Sequence, residues 1–586
     1  MQYTSKEVYE YISHETNDPI VERKNCAVSG QPFAIFQSDL DFYNKISPTF
    51  DWRKFQIPAP TLCPEERQRR RLIFRNERKL YKRTCDYSGE DIISIYSPDK
   101  PYKVYDQKIW RSDARDPMNY GMDFDFSKTF TEQFEYLYFQ VPKCNIMNDN
   151  NIKSTNCSYT NDFAEWENCY MVTGGIRVCD SLYSNGIEDS KDCVDCSMIF
   201  LSNNCYQCID PIECIDCIYC NQCSYSTNCY FSSFLSSCKD CIGCIWLSQK
   251  QYYIFNKRYT KSEYFERRDI IISNLLSKDK SKLNEIDILK KWFSHPSLQN
   301  INSHNTFWNN TRNSKNSYFC YDNNNLNDCK YCIGMWNMQD NQDVYITTNA
   351  NLCYESLWPD YGYQLIYTDS CRYWSKYLIL SILCHNSSNL FWCVGLRNKQ
   401  YCIFNKQYTK DEYEKTVANI ITHMQETGER GEFFHPSLSP FGYNETVAQE
   451  YFPLSKEATL AQWYQWSDYS SDPKIPAWAT ILTWDQIPND IATVTDDIIK
   501  QVIICEISKR PFMIQKAELE FYRKHDLPIP RRHPDVRHEE RMKLRPGRTL
   551  YLRNCDQCNT TMLSVYDKEY NWKVYCEHCY QKEVFA

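Results

Sequence analysis

CVDCSMIFLSNNCYQCIDPIECIDCIYCNQCSYSTNCYFSSFLSSCKDCIGC, residues 193–244, decides the fold. Its cysteines stand at 193, 196, 205, 208, 214, 217, 220, 223, 229, 238, 241 and 244, and every gap is a multiple of three. Neither the period of a strand nor that of a helix fits. On a helix a step of three drifts round the surface, and on a flat strand it changes face each time. A polyproline-II bundle and a solenoid whose corners reset the phase in every rung both tolerate it. Close packing of polyproline-II helices needs abundant glycine, and the whole chain has 14. The spacing therefore predicts a β-solenoid with stacked Cys, Tyr, Ile and Phe inside.

The array is duplicated. Residues 244–257 read CIWLSQKQYYIFNK and residues 393–406 read CVGLRNKQYCIFNK. Each is followed by a Tyr-Thr-Lys, a polar helical stretch and a His-Pro-Ser-Leu, at His295–Leu298 and His435–Leu438. In the second copy Cys320, Cys329, Cys332, Cys353 and Cys371 keep one phase of three, while Cys384, Cys393 and Cys402 keep another. Many cysteines of the first copy are Asn, Tyr, Ser or Trp in the second. An obligatory metal array would have kept its thiols, so the spacing favours cysteine as a small buried side chain. Soft-metal storage or sensing is the alternative, since dense thiolates suit soft cations. His295 and His435 read as helix stops, because proline follows each.

The two ends of the chain repeat one another as well. Cys26, Gln31-Pro32-Phe33 and Leu40-Asp41-Phe42-Tyr43 match Cys505, Arg510-Pro511-Phe512 and Leu519-Glu520-Phe521-Tyr522. The N-terminal copy is longer around Ser47 to Phe55. Beyond it, Cys63 and Cys85 match His533 and Cys555. Cys555-x-x-Cys558 and Cys576-x-x-Cys579 have the spacing of a four-thiolate zinc ribbon, with one structural Zn²⁺ in tetrahedral coordination. The matching N-terminal positions are Cys85, Ser88, Asp106 and Ile109, so that copy is expected to have lost tight zinc binding. Cys26 with Cys63, and Cys505 with His533, read as vestigial half-sites.

Between these landmarks lie two basic runs. The first contains Arg67, Arg69, Arg70, Arg71, Arg75, Arg78 and Lys79, and the second Arg537, Arg541, Lys543, Arg545 and Arg548. Clustered arginine beside a ribbon suggests phosphate contacts and an RNA or other nucleic-acid partner. The competing reading is a solvated helix face paired with local glutamates.

The expected fold class is mainly β with α additions: tandem Cys-rich β-solenoids flanked by two zinc-ribbon-like modules, the N-terminal one degenerate. The expected boundaries are 1–143 for the degenerate module, 144–304 and 305–440 for the two solenoids with helical appendices, 441–500 for a connector with a helix over Thr495–Ile503, and 501–586 for the zinc module. The chain has 586 residues and a net charge of −8, with 32 Cys, 46 Tyr and 15% aromatic residues. So few glycines argue against a backbone that needs many positive-φ turns. The N-terminus has no apolar run and no stretch is long enough to span a membrane, so the expected compartment is the cytoplasm and no membrane partner is expected. There the cysteines are expected as thiols and metal ligands. No phosphate loop, dinucleotide fingerprint, HExxH or nucleophile elbow occurs, so the chain is expected not to be an enzyme. The leading expectation is a nucleic-acid-binding protein with a solenoid spacer. A scaffold that binds a protein partner on the solenoid face is the alternative.

The strings CPEERQRRRLIFRNERKLYKRTCDYSG (63–89), IISIYSPDKPYKVY (92–105) and CVGLRNKQYCIFNKQYTKDEYE (393–414) resemble an uncharacterised family of Cys-rich zinc-ribbon proteins from small-genome, uncultivated bacterial lineages. The resemblance covers nearly the whole chain. The family pattern has a CPxC knuckle where this chain has Cys63-Pro64-Glu65-Glu66, which lacks the second thiol. What the resemblance implies is an architecture; it implies no activity.

Overall fold

The computed structural model describes residues 2–148, 154–276, 281–334, 336–345, 355, 376–431, 433–472, 475–545 and 547–584. Cys353 and Cys371 lie outside them. Five helices matter below: α1 (Pro64–Leu72), α2 (Lys261–Leu276), α3 (Lys410–Glu426), α4 (Pro534–Met542) and α5 (Glu577–Val584).

The period of three has a simple backbone cause. In the first solenoid one residue of each triplet pairs with the neighbouring rungs, the next takes a left-handed conformation, and the third points inward. The left-handed residue turns the chain through a corner, so every triplet restarts with the same face inward. Rungs pair in parallel at a spacing of twelve residues, as in Ile209 with Asn221 and Cys193 with Cys205.

Left-handed backbone costs about 1–2 kcal/mol for most residues and least for Gly, Asn and Asp. Asp192, Asp195, Asn204, Asp210, Asp216, Asn228 and Asp240 occupy these corners, as do Leu201, Tyr219 and Phe231. The expectation drawn from scarce glycine is therefore corrected: positive φ recurs at every third residue, and mostly without glycine. Asn and Asp also bond from rung to rung, as where Asn168 Nδ2 donates to Asp180 Oδ1 at 2.8 Å and Asn228 Nδ2 to Asp240 Oδ1 at 3.0 Å. These ladders offset part of the corner cost.

The inward cysteines are fully buried thiols with hydrogen bonds of their own. Cys193 Sγ donates to Lys191 O (3.3 Å), Cys196 Sγ to Val194 O (3.3 Å) and Cys208 Sγ to Tyr206 O (3.4 Å). Inward serines do the same: Ser184 Oγ donates to Leu182 O and Ser226 Oγ to Ser224 O, both at 2.9 Å. The serine oxygen then accepts the amide of the next rung, as from Cys196 N at 2.9 Å and Cys214 N at 3.0 Å. Cysteine and serine thus play one part here, giving a second hydrogen bond to a carbonyl that already accepts the amide of the next rung, as Val194 O does from Gln207 N at 3.1 Å. That explains why the second copy replaces thiols freely. Burial holds Cys208, Cys220 and Cys393 well above the usual thiol range, whereas Cys217, which takes hydrogen bonds from Cys214, Cys220 and Cys229, is pulled down.

Each solenoid closes with a turn-back strand and a helix. Gln251–Ile254 pairs antiparallel with Lys257–Arg258 before α2, and Gln400–Ile403 with Lys406–Gln407 before α3. The N-cap Thr409 and Glu412 form a capping box on α3, which explains the conserved Tyr-Thr-Lys start within the chain. His295–Pro296 is a short strand paired in parallel with Val574–Tyr575. The connector departs from expectation: Asp496–Lys500 is 3-10 helix and Val502–Ile504 is a strand, so no α-helix covers Thr495–Ile503.

Candidate metal centre

Four hairpin turns in this chain share one hydrogen-bond scheme. Cys26 N, Cys85 N, Cys505 N and Cys555 N donate to the carbonyls of Gln31, Glu90, Arg510 and Thr560 at 2.8, 2.8, 3.0 and 2.9 Å. Gly30, Gly89, Lys509 and Asn559, all at positive φ, return their amides to the four cysteine carbonyls. Such a turn directs the first side chain and the one three residues on toward a single point. A helix begins opposite each turn. Cys63, Asp106 and His533 are N-caps, and Cys576 immediately precedes α5. The amides of Asp106, His533 and Cys576 donate to the sulfurs of Cys85, Cys505 and Cys555 at 3.3, 3.2 and 3.3 Å.

Each unit therefore holds two positions on a turn and two at a helix start. The quartets are Cys26, Ser29, Cys63, Glu66; Cys85, Ser88, Asp106, Ile109; Cys505, Ser508, His533, Val536; and Cys555, Cys558, Cys576, Cys579. The vestigial half-sites are thus units of the same kind as the complete one. The recurring Cys-x-x-Ser at 26–29, 85–88 and 505–508 was the signal for this. The ribbon expectation is corrected in one respect: the second cysteine pair lies at a helix N-terminus, so the unit has one turn knuckle rather than two.

Only the last quartet converges on ligand atoms. Among the described residues, Cys555, Cys558, Cys576 and Cys579 are the one group of three or more candidate ligands whose donor atoms lie within 4.8 Å of one another. Cys558 Sγ and Cys576 Sγ are 3.7 Å apart. Cys558 is exposed, its Sγ lies 3.3 Å from Thr560 Oγ1, and hydrogen bonding with the side chain and backbone of Thr560 holds the thiol down at about 6. These four residues could hold a metal ion. In the first unit Glu66 is already engaged by Arg69 at 2.6 Å and by Tyr3 OH at 2.8 Å. Ile109 and Val536 offer no donor in the second and third. No three described cysteines of the solenoid ladder converge in this way either.

The basic runs turn inward. Arg67 Nε and Arg71 Nη1 donate to Asp343 Oδ1 at 3.0 and 3.1 Å, and Arg70 Nη2 to Glu355 Oε1 at 3.0 Å. Arg69 pairs with Glu66, and Arg75 with Glu77 and with Asp162, the last at 3.5 Å. On α4, Arg537 and Arg541 both bond Asp195, Arg541 at 2.9 Å. Arg545 and Arg548 donate to Asp322 Oδ2 at 3.2 and 2.8 Å. Against the upward push of burial, these two hold Asp322 down at about 2. Arg78 and Lys79 meet Asp535 at 3.4 and 3.1 Å. Lys543 is the exposed member of the two runs. The reading of these arginines as a surface is corrected for a physical reason: Arg67, Arg69, Arg70, Arg71, Arg75, Arg537 and Arg541 are all at most 7% exposed and lie against acidic partners. Apart from Arg69, whose partner Glu66 lies on its own helix, they dock the terminal modules on the solenoids.

The docking is itself duplicated, and it crosses. Arg67 lies over the Tyr331 ring at 4.7 Å, and Tyr331 OH donates to Asp39. Arg537 lies over the Tyr183 ring at 4.8 Å, and Tyr183 OH donates to Glu518. So the N-terminal module sits on the second solenoid and the C-terminal module on the first. Each also reaches the other solenoid, through Arg75 to Asp162 and through Arg545 and Arg548 to Asp322. The strands pair in the opposite, uncrossed sense. Val104–Tyr105 joins Lys143–Cys144 before the first solenoid, and Val574–Tyr575 joins His295–Pro296 before the second. His295 stacks on Trp572 with ring centroids 5.0 Å apart.

No family model matches the chain, and no curated protein matches it. Among solved structures, it is similar to one described as "putative acetyltransferase from Desulfovibrio desulfuricans G20", at 9% identity over 48% of this chain and 82% of that one, with a TM-score of 0.11. The expectation that the chain is not an enzyme does not stand, since missing motifs alone carried it. A superposition that poor carries no argument for an acetyltransferase activity. No helix among the described residues is long and apolar enough to cross a membrane.

Proposed function

We propose that the chain is a zinc-holding scaffold that presents two clamped solenoids to a protein partner. The burial of the arginines carries this reading. Those side chains are committed to Asp195, Asp322, Asp343 and Glu355, which speaks against a phosphate-facing surface built from them. What faces outward instead is aromatic: Trp52, Trp463 and Trp478 are 97%, 90% and 79% exposed. Tryptophan is the residue type that anchors protein contacts most strongly.

The zinc assignment rests on geometry. A Zn–S bond of about 2.3 Å in a tetrahedron sets the sulfurs about 3.8 Å apart, against 3.7 Å for Cys558 and Cys576. Four thiolates suit zinc better than any hard cation. The ion would tie the turn at Cys555 to the start of α5.

Elemental analysis and nuclease-treated co-purification test both parts. The reading expects about one zinc per chain and one stoichiometric protein partner that survives nuclease. Many thiophilic ions per chain would point to metal storage. A partner lost on nuclease treatment, with salt-dependent affinity for RNA, would replace the scaffold reading with the nucleic-acid one.

A further inference from the structure

The two halves differ around the helix that closes each solenoid: in the first a second helix, Ser281–Trp292, packs on α2, and in the second the terminal module adds a hairpin over α3. In the N-terminal module, Ser47 to Phe55 forms a small hairpin, Thr49–Phe50 paired with Arg53–Lys54. It packs on α3, with Phe50 edge-on to Tyr413 at 6.1 Å. Arg430, just beyond α3, donates to Phe55 O and lies over the Phe55 ring at 5.4 Å. Under this cover Val417, Ala418, Ile420, Ile421 and Met424 of α3 are buried.

The C-terminal module has no such hairpin. His525 and Asp526 lead directly to Leu527-Pro528-Ile529-Pro530, which match Ile57-Pro58-Ala59-Pro60. At that point a cleft of about 890 Å³ opens between the module and α2, floored by Tyr206 and Tyr219 of the first solenoid. The helix shows the consequence. Tyr264 and Leu275 are its buried residues, Ile271 and Ile272 are half-buried, and Ile270 is 65% exposed. Arg268, Asp269 and Ile272 line the cleft at the positions that Val417, Ala418 and Ile421 hold under the hairpin.

We propose that this cleft receives a short hairpin from a protein partner, with an aromatic residue in the place of Phe50 and cations in the places of Arg53 and Lys54. The packing of the N-terminal half supplies the template. Asp490 and Asp526 on the walls complement the cations, whereas Asp269 is engaged by Arg268 at 2.8 Å and the lining residues Arg532 and Arg537 pair with Glu506, Glu540 and Glu518. The tyrosine floor and Ile272 provide the apolar contact. The inference rests on the scaffold reading and names where that scaffold is engaged.

The probe is a fluorescent, cyclised peptide of residues 47–55, SPTFDWRKF, titrated with the full chain. Saturable binding is expected. It should weaken by about tenfold or more, some 1.4 kcal/mol, in Ile272→Glu and equally in Ser273→Trp, which fills the cleft from a helix surface. Leu544→Glu, at an exposed leucine outside the cleft, should leave it unchanged. Replacing the peptide's phenylalanine that corresponds to Phe50 by alanine should abolish saturation. A titration that never saturates up to about 1 mM, or one in which every variant binds alike, overturns the proposal. Co-purification of a nuclease-resistant partner by Ile272→Glu at the wild-type level would reject the cleft while leaving the scaffold reading intact.

Discussion

Replacing Asp195 by alanine tests the inward reading of the arginines directly. Its side chain is fully buried and accepts from Arg537 and Arg541, which are themselves 3% and 2% exposed on their side chains. Without it Arg541 loses its one acidic partner among the described residues, and Arg537 keeps Glu518 at 3.4 Å and the Tyr522 hydroxyl at 3.1 Å. Breaking a buried ion pair by removing one partner costs about 3–5 kcal/mol, because a desolvated charge is left behind. The burial of Asp195 and the presence of two guanidiniums put this case toward the upper end. Removing Lys543, exposed on the same segment, should change stability by no more than about 0.5 kcal/mol. Urea unfolding followed by tryptophan fluorescence measures both. Limited proteolysis should release the C-terminal module of Asp195→Ala and leave that of Lys543→Ala attached. The triple replacement Asp195→Leu, Arg537→Met, Arg541→Met should recover most of the loss, since apolar residues of like volume can replace a buried ion pair. If Arg537→Ala and Arg541→Ala were as stable as the parent chain and lost only salt-dependent RNA affinity, the arginines would be a nucleic-acid surface and the docking account would fail.

Three further outcomes follow from other parts of the fold. Cys576→Ser should lose the metal and unfold the C-terminal unit, as structural zinc contributes on the order of 10 kcal/mol to such modules; Cys85→Ser should leave the zinc content unchanged, and equal loss from both would undo the assignment. In the ladder, Cys196→Ser should be nearly neutral because serine can donate to Val194 O, whereas Cys196→Leu should cost about 1–3 kcal/mol by overpacking; a thermal melt of each distinguishes them. Burial holds His538 down at about 4, against about 6.5 unfolded. A histidine kept neutral by the fold contributes its stability above the unfolded value and loses it as pH falls from about 6.5 toward 4, so urea midpoints should drop through that window and drop less in His538→Gln.

The solenoid was legible because its repeat is local: cysteine at multiples of three excludes both ordinary periods, whatever the remote contacts. The corner chemistry was equally present, in Asp192, Asp195, Asp216 and Asp240, but scarce glycine masked it. Left-handed backbone was credited to glycine alone, although aspartate and asparagine also adopt it at modest cost. The metal quartet was readable from spacing, since both cysteine pairs are local. Its three incomplete relatives were only half visible, because Ser29 and Ser508 do not look like ligand positions until the turns are superimposed. The arginines misled for a different reason. Nothing near Arg67 or Arg537 in sequence reveals that Asp343 or Asp195 will meet it, and a charged run reads as surface until its partner from a distant segment is known. His295 shows the same limit: read as a helix stop, it also joins a strand whose mate, Val574–Tyr575, lies near the other end of the chain.

The crossed docking has a consequence for how such a molecule comes apart. A stack of repeats ordinarily frays from its ends, because each rung leans only on its neighbours. Here the N- and C-terminal modules are bolted across both stacks, by Arg75 on Asp162 and by Arg545 and Arg548 on Asp322. The linear array becomes a closed circuit. Opening it anywhere requires giving up a buried charge contact made by a segment hundreds of residues away, so amide exchange in the two solenoids should rise together and not as a gradient from the tips.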